Sequence, residues 1–159
     1  MVDFLFKTLW GKIIVTLFIS MVPVIELRGA VPIGMGWGFP FWAVLLVSFL
    51  GNIVPVPFVI LFGNKILPWC ATWPVVGGFF RWVLDRGRRK AAGVTGAIAV
   101  ALYFFVAIPL PGTGAWTGSL VAMILGIPLK KAFPAIAAGV ITAGIIMGIT
   151  TFGILSLVV

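Results

Sequence analysis

Between Lys12 and Lys65 the chain carries only two charged side chains, Glu26 and Arg28. Such a stretch suits a lipid bilayer better than water, because soluble domains have about 25% charged residues. The whole chain of 159 residues has 9% charged and 62% hydrophobic residues. A water-soluble fold is therefore excluded, and so is a disordered chain, which would be polar and poor in apolar residues. We expect one integral membrane domain of the all-α class over residues 1–159.

The apolar runs predict how this domain is organised, because a spanning helix needs about 20 residues. The first half covers 5–65 and contains a spanning segment over 39–62. Residues 66–90 are predicted to be an interfacial segment and a basic cytoplasmic loop, since positive charge concentrates on cytoplasmic loops. The second half covers 91–159. The basic residues of the loop are Arg81, Arg86, Arg88, Arg89 and Lys90.

Two apolar segments, 26–38 and 111–126, are too short or too broken to span. The first holds 13 residues, which at about 1.5 Å per residue cannot cross roughly 30 Å of hydrocarbon. Both are rich in glycine, and both are too apolar for ordinary loops. We predict that each forms a re-entrant hairpin, with its irregular backbone buried in protein or lining a wet cavity.

The two halves resemble each other. Gly38-Phe39-Pro40 is matched by Gly126-Ile127-Pro128, and a glycine follows eleven residues after each proline, at Gly51 and Gly139. Interrupted hydrophobic segments at corresponding places in two halves indicate a transporter site between repeats. The predicted fold is therefore two inverted repeats, each with a re-entrant helical hairpin followed by a transmembrane helix.

Glu26 and Arg28 are the strongest candidates for function, because a charge inside a membrane protein costs roughly 2.5–3.5 kcal/mol unless it is paired. In one interpretation Arg28 binds an anionic headgroup through two hydrogen bonds while Glu26 carries a proton. In the other, both charges lie at the headgroup interface and do nothing specific.

The glycines and hydroxyls of the two broken segments complete the candidate substrate site. Glycine lets a backbone approach closely, and threonine supplies a hydroxyl. The alternative for the second segment is helix packing, since Gly114 and Gly118 have small-xxx-small spacing, as do Gly144 and Gly148. For Asn52 the alternative is a hydrogen bond between helices. The full candidate set is Glu26, Arg28, Gly29, Asn52, Gly112, Thr113, Gly114 and Thr117.

Several classes of function are not expected. The chain has no histidine and one cysteine, so neither a zinc site nor any other metal site or cofactor is predicted. Three carboxylates and no imidazole leave little for acid–base catalysis, so we expect no enzyme. A G-K-[ST] phosphate loop is missing, which argues against an ATP-driven pump. The basic loop follows from membrane topology, so no nucleic-acid partner is expected.

Three segments in order resemble the small multidrug export protein family of prokaryotic membrane proteins. They are Pro23–Gly34, Gly51–Pro57 and Ala107–Gly118. The chain is also distantly similar to the DedA/VTT superfamily, a likeness that implies opposed re-entrant hairpins and the movement of lipids such as undecaprenyl phosphate. Glu26 and Arg28 fall where that superfamily has a hairpin acid and arginine, whereas the second hairpin has Thr113 and Thr117 in place of an arginine.

These observations together predict a multi-pass transporter of the prokaryotic cytoplasmic membrane. Its expected substrate is an anionic lipid, most plausibly a lipid phosphate, with protonation of Glu26 as the candidate coupling step. A proton-coupled exporter of hydrophobic cationic drugs is the second hypothesis, and a membrane scaffold without a substrate is the third. Membrane lipid is thus the expected partner, and homo-oligomerisation stays open.

Overall fold

The computed structural model of the protein describes residues 8–74, 77–79, 81–82, 85, 95–110 and 112–158. Within these ranges the regular structure is entirely helical, which confirms the prediction of an all-α chain. Most of the predicted basic cluster, residues 86 and 88–90, lies outside the described residues. The helices are α1 Leu9–Met21, α2 Glu26–Gly36, α3 Phe41–Ile53, α4 Pro55–Cys70, α5 Thr95–Ala107, α6 Ala115–Ile124 and α7 Leu129–Val158.

In the part of the chain that the structure describes, two stretches of helix are long and apolar enough to cross a membrane: Phe41–Cys70, which joins α3 and α4, and Leu129–Ile154 in α7. The hydrogen-bonding pattern of the first is interrupted at Val54, directly before Pro55. This stretch continues to Cys70 despite Pro68, so residues 66–70 belong to α4 and not to the predicted interfacial segment.

The helices fall into two groups with the same order of lengths. The first three-helix unit consists of α1 with 13 residues, α2 with 11, and the α3–α4 stretch with 30. The second three-helix unit consists of α5 with 13, α6 with 10 and α7 with 30. Each unit is thus two short helices followed by a long one.

A close contact between the first and the long helix recurs in both units. A β-carbon added at Gly51 would lie 2.5 Å from the carbonyl oxygen of Leu17, and it would also collide with Ser20. One added at Gly139 would lie 2.9 Å from the carbonyl oxygen of Tyr103. The two glycines that correspond in the sequence therefore occupy the same place in their units.

The two units meet along α3 and α7. Gly144 packs against Leu45, and Gly148 packs against Phe41, so these helices run antiparallel. The helix-packing role predicted for both glycines is confirmed. The core between the units is built from aliphatic side chains that are fully buried, including Val31, Val44, Ile60, Val106, Ile136 and Val140.

The structure does not confirm a hairpin within either short segment. Residues 26–36 form the single helix α2, and residues 115–124 form α6. Glycines inside these helices serve close packing instead of chain reversal, because Gly34 abuts Val44 and Gly118 abuts Val106. The chain turns before each helix, at residues 22–25 and at residues 108–110 and 112–114, rather than inside it.

Candidate functional site

The turn that precedes α2 and the turn that precedes α6 lie side by side, and a pocket of about 220 Å³ opens between them. We call it the corner pocket. Its wall combines two charged side chains with hydroxyls, glycine backbone and apolar groups. The lining residues are Pro23, Val24, Glu26, Arg28, Gly112, Thr113, Trp116, Thr117 and Leu120.

Glu26 is held against the N-terminus of α6. The side chain is only 3% exposed, and its Oε1 accepts a hydrogen bond of 3.0 Å from the backbone N–H of Trp116. Gly114 lies against the carboxylate so closely that a β-carbon there would collide with it. Oε2 is buried without a hydrogen-bond partner. A carboxylate suits this position because the first N–H groups of a helix are unpaired and carry partial positive charge.

Arg28 bonds to the other turn. Its Nη2 donates to the Thr113 hydroxyl at 2.8 Å, while its Nε is buried without a partner. The same hydroxyl lies 2.6 Å from the carbonyl oxygen of Ile108 and 2.9 Å from that of Leu110, and its single proton can serve one of them at a time. Thr113 is thereby fixed as an acceptor for the guanidinium.

Trp116 ties the two units together at this point. Its backbone N–H bonds to Glu26, and its indole Nε1 donates to the carbonyl oxygen of Met21 at 2.9 Å. One residue of α6 therefore holds both sides of the 22–25 turn. Trp116 was not among the site residues predicted from the sequence. Its position in the first turn of an apolar helix, directly after a glycine-rich segment, is the signal that distinguishes it.

The 22–25 turn and the first residue of α2 contain unusual backbone. Val24 has a φ of +78° and Glu26 a φ of +49°, both in the left-handed region. For residues other than glycine this region costs of order 1–3 kcal/mol and persists where surrounding contacts impose it. In the other turn the comparable conformation falls on Gly112, with a φ of +84°. The strained backbone is thus found at Glu26 itself and at Val24, two residues before it.

Five of the eight predicted site residues line the corner pocket: Glu26, Arg28, Gly112, Thr113 and Thr117. Gly114 lies behind the Glu26 carboxylate. Gly29 packs against Ile25, and Asn52 is fully buried in α3, so neither is part of the pocket wall. Among the described residues there is no group of three or more histidine, cysteine, aspartate or glutamate side chains that could hold a metal ion.

Comparison with known proteins gives one match. The model of the family described as "Putative small multi-drug export protein" matches residues 26–146, well over half of the chain. No curated protein matches the chain, and no solved structure does. The matched region begins at Glu26 and contains every polar side chain of the corner pocket.

Proposed function

The chain belongs to the small multidrug export protein family, and on that premise we propose that it is a membrane transporter whose substrate site is the corner pocket. The proposed substrate is an anionic amphiphile, with a lipid phosphate as its leading representative. One observation carries this choice: Arg28 reaches the pocket with donors to spare, while the neighbouring carboxylate is bonded elsewhere.

The hydrogen bonding of the two charges supports an anionic ligand. Arg28 bonds to the neutral hydroxyl of Thr113, and Glu26 bonds to the backbone of α6 instead of to Arg28. The Glu26 charge attracts the guanidinium but makes no hydrogen bond to it, and a half-buried guanidinium with an unpaired N–H group is costly in a membrane protein. A phosphate group would offset that cost, because it accepts two parallel hydrogen bonds from arginine.

The size and lining of the pocket support an amphiphile rather than a bulky solute. A drug-sized ligand usually occupies about 300–1,000 Å³. The corner pocket, at about 220 Å³, suits a headgroup whose hydrocarbon tails remain in the bilayer. Pro23, Val24 and Leu120 form an apolar edge along which a tail could leave.

The proposed mechanism is alternating access between the two three-helix units, related as an inverted repeat. The shared order of helix lengths and the antiparallel course of α3 and α7 support this relation. Because the corner pocket is formed by one turn from each unit, a rocking motion between units would open and close it. Protonation of Glu26 would weaken its bond to α6, since a neutral carboxyl is attracted less to a helix N-terminus.

A second candidate, a proton-coupled exporter of hydrophobic cations, is favoured by the free oxygen of Glu26. Oε2 is buried at the pocket without a partner, so it could accept a cationic group. In that case Glu26 would supply the binding charge and Arg28 would act as its counter-ion. For either substrate we propose a multi-pass protein of the prokaryotic cytoplasmic membrane, and the two candidate spans support this location.

The test is transport in reconstituted vesicles containing a fluorescent lipid phosphate. Arg28→Gln should reduce its flipping at least about tenfold, because a hydrogen bond to a charged group is worth about 1.5–3 kcal/mol. Arg81→Gln is the matched control, since Arg81 is exposed and lies outside the pocket, and it should flip lipid like the unmodified protein.

Other outcomes of the same assay would overturn the lipid hypothesis. Equal flipping by the unmodified protein and Arg28→Gln would do so directly. If a fluorescent hydrophobic cation is exported instead, and Glu26→Gln abolishes export while Arg28→Gln largely retains it, the drug-exporter hypothesis takes its place. Vesicles that move neither substrate would favour a scaffold without transport activity.

A further inference from the structure

Away from the corner pocket, α3 contains two polar side chains whose burial is unexplained. Ser48 and Asn52 are 0% exposed, and neither the Ser48 hydroxyl oxygen nor either polar atom of the Asn52 side chain has a hydrogen-bond partner. Residues four apart lie on the same face of a helix, with β-carbons about 5–6 Å apart. The buried side of α3 thus carries a small group of unsatisfied polar atoms.

Backbone oxygens add to this group at the break between α3 and α4. α3 ends at Ile53 and α4 begins at Pro55, and Val54 between them keeps helical dihedral angles and donates its N–H to the carbonyl oxygen of Leu50. A proline has no N–H, so Pro55 and Pro57 cannot donate to the carbonyl groups four residues earlier. These carbonyl groups belong to Gly51 and Ile53, which immediately flank Asn52.

The second three-helix unit shows that the architecture does not require this polarity. Aligning Gly51 with Gly139 pairs Ser48 with Ile136 and Asn52 with Val140. Ile136 and Val140 are also fully buried, and α7 continues through this level without a break. Aliphatic side chains therefore fill the equivalent place. The two side-chain oxygens of the first unit need a different explanation, and a bound ligand supplies one.

We propose that the α3–α4 break binds a monovalent cation, with Na⁺ as the probe ion, through Ser48 Oγ, Asn52 Oδ1 and the carbonyl oxygens freed by the prolines. The donors are neutral oxygens, the ligand type that hard cations prefer, whereas Ca²⁺ and Mg²⁺ sites usually include carboxylates. Backbone carbonyl oxygens also coordinate Na⁺ at interrupted membrane helices of secondary transporters. This site is separate from the corner pocket, and its occupancy does not depend on which substrate the transporter carries.

The test uses the purified full-length chain in detergent. Its thermal unfolding midpoint is measured in increasing NaCl, with choline chloride keeping the ionic strength constant so that charge screening does not change. A ligand that binds only the folded state stabilises it by mass action, so the midpoint should rise with Na⁺ concentration beyond the choline value. Binding of ²²Na⁺ to the same preparation measures the affinity directly.

Two substitutions locate the site. Ser48→Ala removes the hydroxyl, and Asn52→Val introduces the residue found at the equivalent position of α7. Each should weaken Na⁺ binding about tenfold or more, the loss typical even when groups outside the coordination sphere are removed. In choline chloride both variants should unfold at or above the temperature of the unmodified protein, because each loses a buried polar group that has no partner there.

Thr150→Val is the matched control. Its hydroxyl bonds to the carbonyl oxygens of Ile146 and Met147 within α7, and it should keep the full response to Na⁺. The proposal would be overturned if the unmodified protein unfolds at the same midpoint in NaCl and in choline chloride and does not bind ²²Na⁺. A full Na⁺ response in both Ser48→Ala and Asn52→Val would also overturn it. If Asn52→Val does not fold, Ser48→Ala and ²²Na⁺ binding decide.

Discussion

The two three-helix units have nearly the same helix lengths and the same glycine contact, yet their long helices differ inside. The first is interrupted at Val54 and buries Ser48 and Asn52, whereas α7 is continuous and buries Ile136 and Val140 at the equivalent positions. One architecture thus accommodates a broken polar helix and an unbroken apolar one. The difference indicates that the first unit departs from the simpler solution for a reason other than packing.

The two sides of the corner pocket also differ in polarity, and again the first unit carries the more polar side chains. The first unit contributes both charged side chains, Glu26 and Arg28, from the start of α2, directly after a turn with strained backbone. The second contributes backbone N–H groups, the Thr113 hydroxyl and glycines that let Glu26 approach. The pocket is therefore asymmetric, with the ionisable side chains on one unit and neutral polar partners on the other.

The largest expected change in stability comes from placing a polar side chain in the buried core of the second unit. Val140→Asn should lower the free energy of unfolding in detergent by about 3 kcal/mol, because it loses apolar burial and leaves an amide unsatisfied. Val140→Thr is the matched change. It should lower the free energy of unfolding less, because the threonine hydroxyl can hydrogen-bond to a carbonyl group of its own helix. Equal stability of Val140→Asn and the unmodified protein would mean that the second unit also accepts polar groups, and the comparison between the units would fail.

A smaller effect tests whether the glycine contacts are equivalent. Gly51→Ala and Gly139→Ala should each cost about 1–3 kcal/mol of unfolding free energy, the usual range for overpacking. Gly51→Ala should cost more, since its β-carbon would lie closer to a backbone oxygen, 2.5 Å against 2.9 Å.

Gly36→Ala is the control for the glycine contacts. Gly36 is helical with no atom near its added β-carbon, so this change should be neutral or stabilising. Thermal and denaturant unfolding of the three variants provides the measurement. A loss at Gly51 without one at Gly139 would contradict the equivalence of the two contacts.

The smallest expected change in stability concerns the turns that precede α2 and α6. Val24 is 79% exposed, so Val24→Gly loses little packing and relieves a left-handed conformation worth about 1–2 kcal/mol. Glycine's own backbone entropy offsets part of this, which leaves a net gain of about 0.5–1 kcal/mol. Gly112→Ala should show the opposite sign, because it places a β-carbon at a φ of +84°. A destabilised Val24→Gly variant would show that the first turn is not strained.

The all-α class and the meeting of the two short segments around Glu26 and Arg28 could be predicted because charges are so scarce in this chain. Two charges in an apolar stretch had to find polar partners, and the hydroxyl and backbone groups around Thr113 were the available ones. The correspondence of Gly51 and Gly139 could also be predicted, because each glycine follows a Gly-x-Pro step at the same spacing. These predictions depended on composition and spacing, which the sequence states directly.

The remaining features depended on which surface a residue faces. A glycine serves a chain reversal as readily as a close helix contact, so Gly34 and Gly118 were expected at hairpins but lie inside packed helices. Trp116 resembled any interfacial tryptophan until its partners on α1 and α2 were known. Asn52 was grouped with the pocket, although it lies on the buried face of α3 at the helix break.

The bond between Glu26 and Trp116 joins residues 90 positions apart, and the bond between Arg28 and Thr113 joins residues 85 apart. A ribosome adds about 5–20 residues per second, so α1, α2 and α3 are made on the order of ten seconds before α6 emerges. During that interval both charges lack their final partners, and burying them in lipid would be costly. The first unit must therefore wait near the membrane surface, or beside an insertion factor, until the second unit is synthesised.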